Sequence, residues 1–471
     1  MIASKTLTLL CPLLLVGCTL GPDYHAAPDS TLQGTAFQRQ VPGTRANTPH
    51  VAEWWLALND PLLNELIDSS LRNSPDLHAA AARLRQARAG LSEKRSDLLP
   101  KSSATAAALY TGSGDKNTDA THLYLSGFDA SWELDIFGGG RRAVEAASAE
   151  ADAVQADLAD AHVQLAAEVG QAYVGLRDQQ QRLHIARESE ALERQLLDFT
   201  EQRLAQGTAS ELDRERIATQ VETTRAASIA LELDVIESLD ELAVLSGLPP
   251  GALNTRLQQQ TALPVLPVTV NIGDPAHLLQ QRPDIRAAER RLASSTAQIG
   301  ERKAAAFPKI SLFGSLSFSA SEPGHLLRKD NLSALGVPYL QWNWLDFGRV
   351  HAQVTQAEAG RDEALANYRS SVLSALRDAD VALARYGNER QRRSTLGRVE
   401  SSAVRASQLT DQRYRAGTSS VLDWLDAERT RYRAEQDRVH SDGQLIKDYI
   451  ALQKSLGLGW RTLPARHCCE T

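Results

Sequence analysis

The chain has 471 residues and a formal charge of −7, with no Lys/Arg block standing clear of interspersed acids, so nucleic-acid binding is disfavoured. Length alone allows two or three domains. Aromatic residues make up only 5%, while Ala, Leu, Gln, Arg and Glu dominate long stretches, a composition of long helices and not of a compact mixed core.

The chain opens "MIASKTLTLLCPLLLVGC". Lys5 gives a positive start and Leu7 to Val16 a short apolar run, too short to span a bilayer and suited to a secretory signal over residues 1–17. "LLVGC" sets small and apolar residues directly before Cys18 and resembles the bacterial lipobox, whose cysteine is lipidated after cleavage. Residues 18–70 then read as a lipidated N-terminal segment. Thr19 follows the cysteine, not the aspartate associated with inner-membrane retention, so the expected address is the outer membrane. The alternative is an ordinary signal with an incidental cysteine.

A helix of about 25 residues follows, opened by Pro75 and ended by Pro100. Next come two alternating segments, "SSATAAALYTG" and "HLYLSGFDASW", within about 102–132 and joined by "SGDKNTDAT". Each has the length and pattern of a transmembrane β-strand with one lipid face and one lumen face. A soluble hairpin fits the segments alone equally well; the lipobox and the long helices favour the membrane. After a turn at Phe137 and Gly138, a proline-free run extends from about Arg141 to Gln206. At 1.5 Å per residue it reaches roughly 100 Å, the scale of a coiled coil or a tube wall. The chain turns at Gly207 and a helix of about 37 residues returns, ending near 246. It covers only about 55 Å, so stacking it on the shorter opening helix would match the long one.

Residues 249–278 are a linker, and from 279 the same order returns. "LRNSPDLHAA" with its closing Pro-Lys (71–101) aligns without a gap with "LQQRPDIRAA" and its Pro-Lys (279–309), at an offset of 208. "WELDIFGG" (132–139) meets "WNWLDFGR" (342–349), and "QRLAQGTASELD" (202–213) meets "QRYRAGTSSVLD" (412–423), both at 210. "LSGL" (245–248) aligns with "SLGL" (455–458). The chain is therefore two internal repeats, 71–248 and 279–460. In the second, the strands "ISLFGSLSFSAS" and "NLSALGVPYLQW" lie within about 310–342. A turn at Phe347 and Gly348 follows, and helices fill about 349–456, the long one running from about 349 to 416 before the turn at Gly417. In the tail, 461–471, Cys468 and Cys469 are adjacent and could pair only in strained geometry. His467 beside them makes a weak metal spacing, so the tail reads as a disordered end.

Four strands cannot close a membrane sheet, because open edges leave backbone groups unpaired in lipid and known barrels begin at about eight strands. Two, three or four copies would close it, and a true conduit favours the larger counts.

The stretch "GCTLGPDY", the paired Pro-Asp helices, "WELDIFGG" with "WLDFGR", and "RYRAGTSSVLDWLDA" together resemble the outer membrane efflux proteins. These are the TolC-like factors, and the likeness is to the lipoprotein branch serving resistance-nodulation-division (RND) pumps, over residues 18–460. The resemblance implies a mixed α/β membrane protein. In it, a homotrimer with four strands per chain builds a 12-stranded transmembrane β-barrel, continuous with a long periplasmic α-helical barrel. It implies a passive duct in the outer membrane of a Gram-negative bacterium, extending into the periplasm, which conducts drugs or other small molecules. Its expected partners are an inner-membrane RND-type pump, a periplasmic adaptor (membrane fusion) protein and outer-membrane lipid. No nucleic acid, metal, enzymatic activity or cofactor is expected beyond the covalent lipid on Cys18.

The resemblance places the tip turns, Gly207 and Gly417, at the periplasmic end of the tunnel. Ser210 with Asp213 and Ser420 with Asp423 form capping boxes, which accounts for Asp213 and competes with a gate role for Asp423. Asp426 lies past the first turn, and its counterpart in the first repeat is Arg216, so the repeat symmetry breaks there. By resemblance Leu422, Asp423 and Asp426 line a constricted aperture and Arg429 joins the salt bridges that hold it. A ring of carboxylates near one axis would gather cations. Trp424, off this stripe, is expected to face neighbouring helices or the adaptor.

"FGGGRR" (137–142) could suggest a phosphate cradle but lacks a P-loop context, and its second copy lacks two of the glycines; it reads as a strand-to-helix turn. Phe137 and Phe347 read as interfacial aromatics or packing residues. The histidines stand in no zinc pattern. A helical periplasmic scaffold or adaptor without a pore is the rival reading, although no lipoyl-like β-domain is visible. The exit of a type I secretion or metal-efflux system is a variant of the duct. Met1 is the only methionine, so a thioether shuttle for copper or silver along the wall is disfavoured.

Overall fold

The computed structural model describes residues 19–25, 44–45, 53–111, 121–272 and 282–460. The signal segment, Cys18 and the Cys468–Cys469 tail lie outside the described residues. The long helices among the described residues are α1 (Pro61–Asn73), α2 (Pro75–Ser96), α3 (Gly139–Ala205), α4 (Glu211–Leu245), α5 (Pro283–Ala304), α6 (Arg349–Arg415) and α7 (Val421–Ser455). The long strands are β1 (Lys101–Thr111), β2 (Thr121–Leu134), β3 (Lys309–Ala320) and β4 (Leu332–Gln341). The chain divides into two compact units: residues 1–28, 82–156 and 286–371 form the first, and 29–81, 157–285 and 372–471 the second.

The first unit holds one antiparallel sheet in the order β1-β2-β3-β4. Lys101 pairs with Ser131 in the first hairpin and Lys309 with Gln341 in the second. These are the same register once the offsets of 208 and 210 are applied. The repeats meet at β2 and β3, where Tyr124 faces Ala320 and Leu134 faces Ile310. Strand alternation sorts the faces. Trp132 with Leu312, Phe128 with Leu316 and Ile310 with Leu340 share one side. Thr105, Asp129, Ser315, Ser317 and Ser333 share the other, where Thr105 donates to Asp129 (3.3 Å) and Ser317 meets Ser333 (2.9 Å).

Each repeat ties its sheet to the end of its short helix in the same way. Trp132 Nε1 donates to the Leu98 carbonyl (2.8 Å) and Trp342 Nε1 to the Ala306 carbonyl (3.1 Å). Helices α2 and α5 stop at Ser96 and Ala304, four residues before the prolines expected to end them. The residue before a proline is driven out of the helical region, so the last turn frays into the loop that offers these carbonyls.

The second unit packs helices around a core that includes Trp54, Trp55, Leu63, Leu66, Ile67, Tyr173, Leu242, Leu257 and Ile450, all buried. Helix α1 is new relative to the sequence reading. It begins inside the segment assigned to the lipidated N-terminus, capped by Asp60, whose carboxylate accepts from the amides of Leu62 and Leu63. The linker is built into this core through Arg177, which is fully buried. Its guanidinium donates to the carbonyls of Leu257 (3.2 Å) and Gln259 (2.9 Å) and lies over the Tyr173 ring.

Candidate functional site

At the far end of the helices the chain reverses twice. Gly207 (φ +69°) and Gly417 (φ +70°) take the left-handed conformation that closes α3 and α6. In each case the following threonine amide reaches back five residues, to Arg203 (2.8 Å) and to Arg413 (2.9 Å), satisfying carbonyls left open at a helix end. A side chain at either glycine would meet nothing within 4 Å, so backbone conformation alone demands the residue.

Both return helices open with a complete capping box. Ser420 Oγ accepts from the Asp423 amide (3.1 Å), and Asp423 accepts from the Ser420 amide (3.0 Å) and the Ser419 hydroxyl (3.0 Å). Ser210 and Asp213 repeat the arrangement. The amide of Ser420, then the hydroxyls of Ser420 and Ser419, hold the Asp423 carboxyl below the usual carboxylate range. Two donors, the Ser420 amide and the Ser419 hydroxyl, thus engage the Asp423 carboxylate inside its own chain.

Asp426 is differently placed. It is exposed and accepts from Arg429 at 2.6 Å, one turn along the same helix. Asp426 and Arg429 line a cleft of about 500 Å³ with Leu422 and Leu425 on one wall and Glu215, Arg216, Thr219 and Gln220 on the other. The positions where the repeats differ in charge, Arg216 and Asp426, therefore face one cleft. Leu422 packs against a small core of Leu196, Ile217, Val221, Val421 and Leu425. Trp424 turns to its own chain: it stacks on Tyr414 of α6 at 5.3 Å between ring centroids, nearly parallel, with its indole N–H buried and unbonded.

At the strand-to-helix turns, Gly138 (φ +76°) and Gly348 (φ +85°) are left-handed as the turns require. Phe137 stacks on Phe307 at 4.8 Å, whereas Phe347 is 91% exposed and itself left-handed (φ +52°), so the two phenylalanines are not equivalent. The residues that sequence reading passed over are the aspartates beside them. Asp135 accepts from the amides of Gly140 (2.9 Å) and Arg141 (2.8 Å), and Asp346 from those of Gly348 (3.0 Å) and Val350 (2.8 Å). These carboxylates occupy the amides that a phosphate would need. The signal was present in "LDIFGG" and "LDFGR", with the aspartate one position out of step between repeats.

The outer membrane efflux protein family model matches residues 66–248 and 275–458. The chain belongs to that family. It is 33% identical to the pyoverdine export outer membrane protein OpmQ of Pseudomonas aeruginosa, covering 97% of this chain and 98% of that protein. It is 30% identical to nodulation protein T of Rhizobium leguminosarum bv. viciae, over 95% and 92% of the two chains. Its fold is similar to that of the outer-membrane channel OprN, with a TM-score of 0.85, 35% identity, and 94% and 100% of the chains covered. An outer membrane efflux protein is a channel component, so the pore-less scaffold reading is set aside. The chain works in the outer membrane, as part of an efflux system.

Proposed function

We propose that this outer membrane efflux protein is the passive exit duct of a tripartite system, receiving drugs or other small molecules from an inner-membrane pump through a periplasmic adaptor. The observation that carries the reading is the sheet. One face carries Phe128, Trp132, Leu312 and Leu316 and the other Asp129, Ser131, Ser315 and Ser317 among further apolar residues, and its outer edges, β1 and β4, have no further strand within the order β1-β2-β3-β4. In lipid such edges must be paired. Three copies would close a 12-stranded barrel above a helical tunnel, anchored by lipid on Cys18. At the tip, Asp426 and Arg429, with Leu422 behind them, form the gate; Asp423 chiefly caps its helix. The relative named for pyoverdine export favours a small-molecule cargo over a protein one.

Single-channel conductance of the purified lipoprotein in a planar bilayer tests this. The expected result is small, cation-selective current that rises in Asp423→Ala/Asp426→Ala, with Asp426→Ala alone giving most of the rise. Equal currents would return both aspartates to capping and salt-bridge roles within the helix. No current from protein shown to be inserted would overturn the duct.

A further inference from the structure

Residues 19–25 follow the proposed anchor cysteine directly, and the first unit grips them at several points. The Leu20 amide donates to the Phe137 carbonyl (3.3 Å). Arg142, near the start of α3 and only 4% exposed, reaches the same segment with its guanidinium. Nε donates to the Leu20 carbonyl (3.0 Å), and Nη2 to the Gly21 carbonyl (3.4 Å) and the Asp23 carboxylate (2.6 Å). Glu145 takes the remaining nitrogen at 2.7 Å. Tyr24 donates to Glu289 on α5 (2.9 Å), and Arg290 lies over its ring.

The crossing point is made for bare backbone. Gly21 is left-handed (φ +94°), and a side chain there would fall 2.4 Å from the Gly300 Cα. A side chain at Gly300 would fall 2.5 Å from the Leu20 carbonyl oxygen and 2.8 Å from Arg142. Two glycines at one crossing, with a buried arginine reading successive carbonyls, make a receptor for a peptide that bends at Gly21. Arg142 belongs to the first repeat, and Gly300 and Glu289 to the second.

We propose that residues 19–24 are a docking peptide, held non-covalently in a cradle of Arg142, Gly300 and Glu289, which fixes the lipid anchor against the foot of the sheet. Cys18 is two residues from Leu20, so the Cα that bears the anchor lies within about 7 Å of the Leu20 Cα. The anchor is then a depth gauge and not a leash, setting the membrane surface at the strand-to-helix turn. Arg142 acts as a positioning residue. The depth-gauge role rests on the lipidation of Cys18; the cradle does not.

The test removes the lipid so that a shared micelle cannot hold the peptide. The full chain is exported on a non-lipoprotein signal with Cys18→Ala, and a protease site is introduced between residues 30 and 40. After verified cleavage, gel filtration in detergent and mass spectrometry follow the N-terminal fragment. It is expected to stay with the body, and to leave about tenfold faster when Asp23→Ala/Tyr24→Phe removes the charge-assisted contact. These substitutions lie on the peptide and leave the cradle intact. Arg142→Ala should release it as well, and Arg142→Lys should not restore the carbonyl contacts. Equal retention in all variants, or immediate loss from the unaltered peptide, would overturn the cradle. The mass of the wild-type N-terminal peptide reports separately whether Cys18 is acylated.

Discussion

Two carboxyls illustrate how local surroundings set opposite responses to acid. Asp423 has its folded pKa lowered by the Ser420 amide and the neighbouring hydroxyls. Its contribution is present above about pH 4 and is lost as pH falls through the lowered value. Hydrogen exchange in the first turn of α7 should therefore accelerate only well into acid, and Asp423→Asn should bring that change to neutral pH. Glu193 on α3 behaves in reverse. It is buried, its Oε1 accepts from Ser189 and Gln220 (3.2 Å each), and its Oε2 has no donor. Burial raises its pKa, so the stability it adds is present in acid and lost as pH rises through the raised value. Glu193→Gln should stabilise the helical part by about 1 kcal/mol at pH 7 and flatten the gain seen at pH 5. Thermal unfolding at the two pH values checks it. Asp423 was legible in the sequence because a capping box spans four residues. Glu193 was not, because its burial depends on α4 returning against α3. The sequence likewise separated Asp426 from Arg216 by charge but could not place them across one cleft.

At the scale of elements, the glycine turns and the long helices were legible because each depends on local conformation. The expected runs of 141–206 and 349–416 became Gly139–Ala205 and Arg349–Arg415. Gly417→Ala should cost about 1 kcal/mol, since only the left-handed backbone resists it, and Gly417→Asn less. Equal loss from both would show that some unseen neighbour crowds the turn. The same substitution at Gly247 should cost more. It shares the conformation (φ +70°), but a side chain there would fall 2.4 Å from the Asn73 carbonyl oxygen. Chemical denaturation of the purified protein ranks the three. Helix α1 and the Trp54–Trp55 core escaped the sequence because residues 54–70 precede the stretch where the two repeats align without a gap. Their burial is a product of packing against α3 and α7.

For the whole molecule, the duplicated hairpin settles more than a strand count. Within the chain, the second strand of one repeat pairs with the first strand of the next, Asp129 opposite Ser315 and Ser131 opposite Phe313. A seam between copies would join the counterparts of these same strands, β4 of one and β1 of its neighbour. Shifting each residue by its repeat offset sets Tyr339 opposite Ala107, and Gln341 opposite Thr105, across that seam. A slip of one residue would set residues of opposite faces against each other across the seam, so the register has little freedom. Tyr339→Cys with Ala107→Cys should give a disulfide-linked oligomer in outer membranes, and Tyr339→Cys with Ala106→Cys should not; similar yields from both would refute the register. Pro338 sits beside this seam, opposite Ala108 in the same alignment, and can donate no backbone hydrogen bond there. The junction the chain makes with itself is thus a template for the junction it would make with its copies, and a mutation that unsettles one can be diagnosed from the geometry of the other.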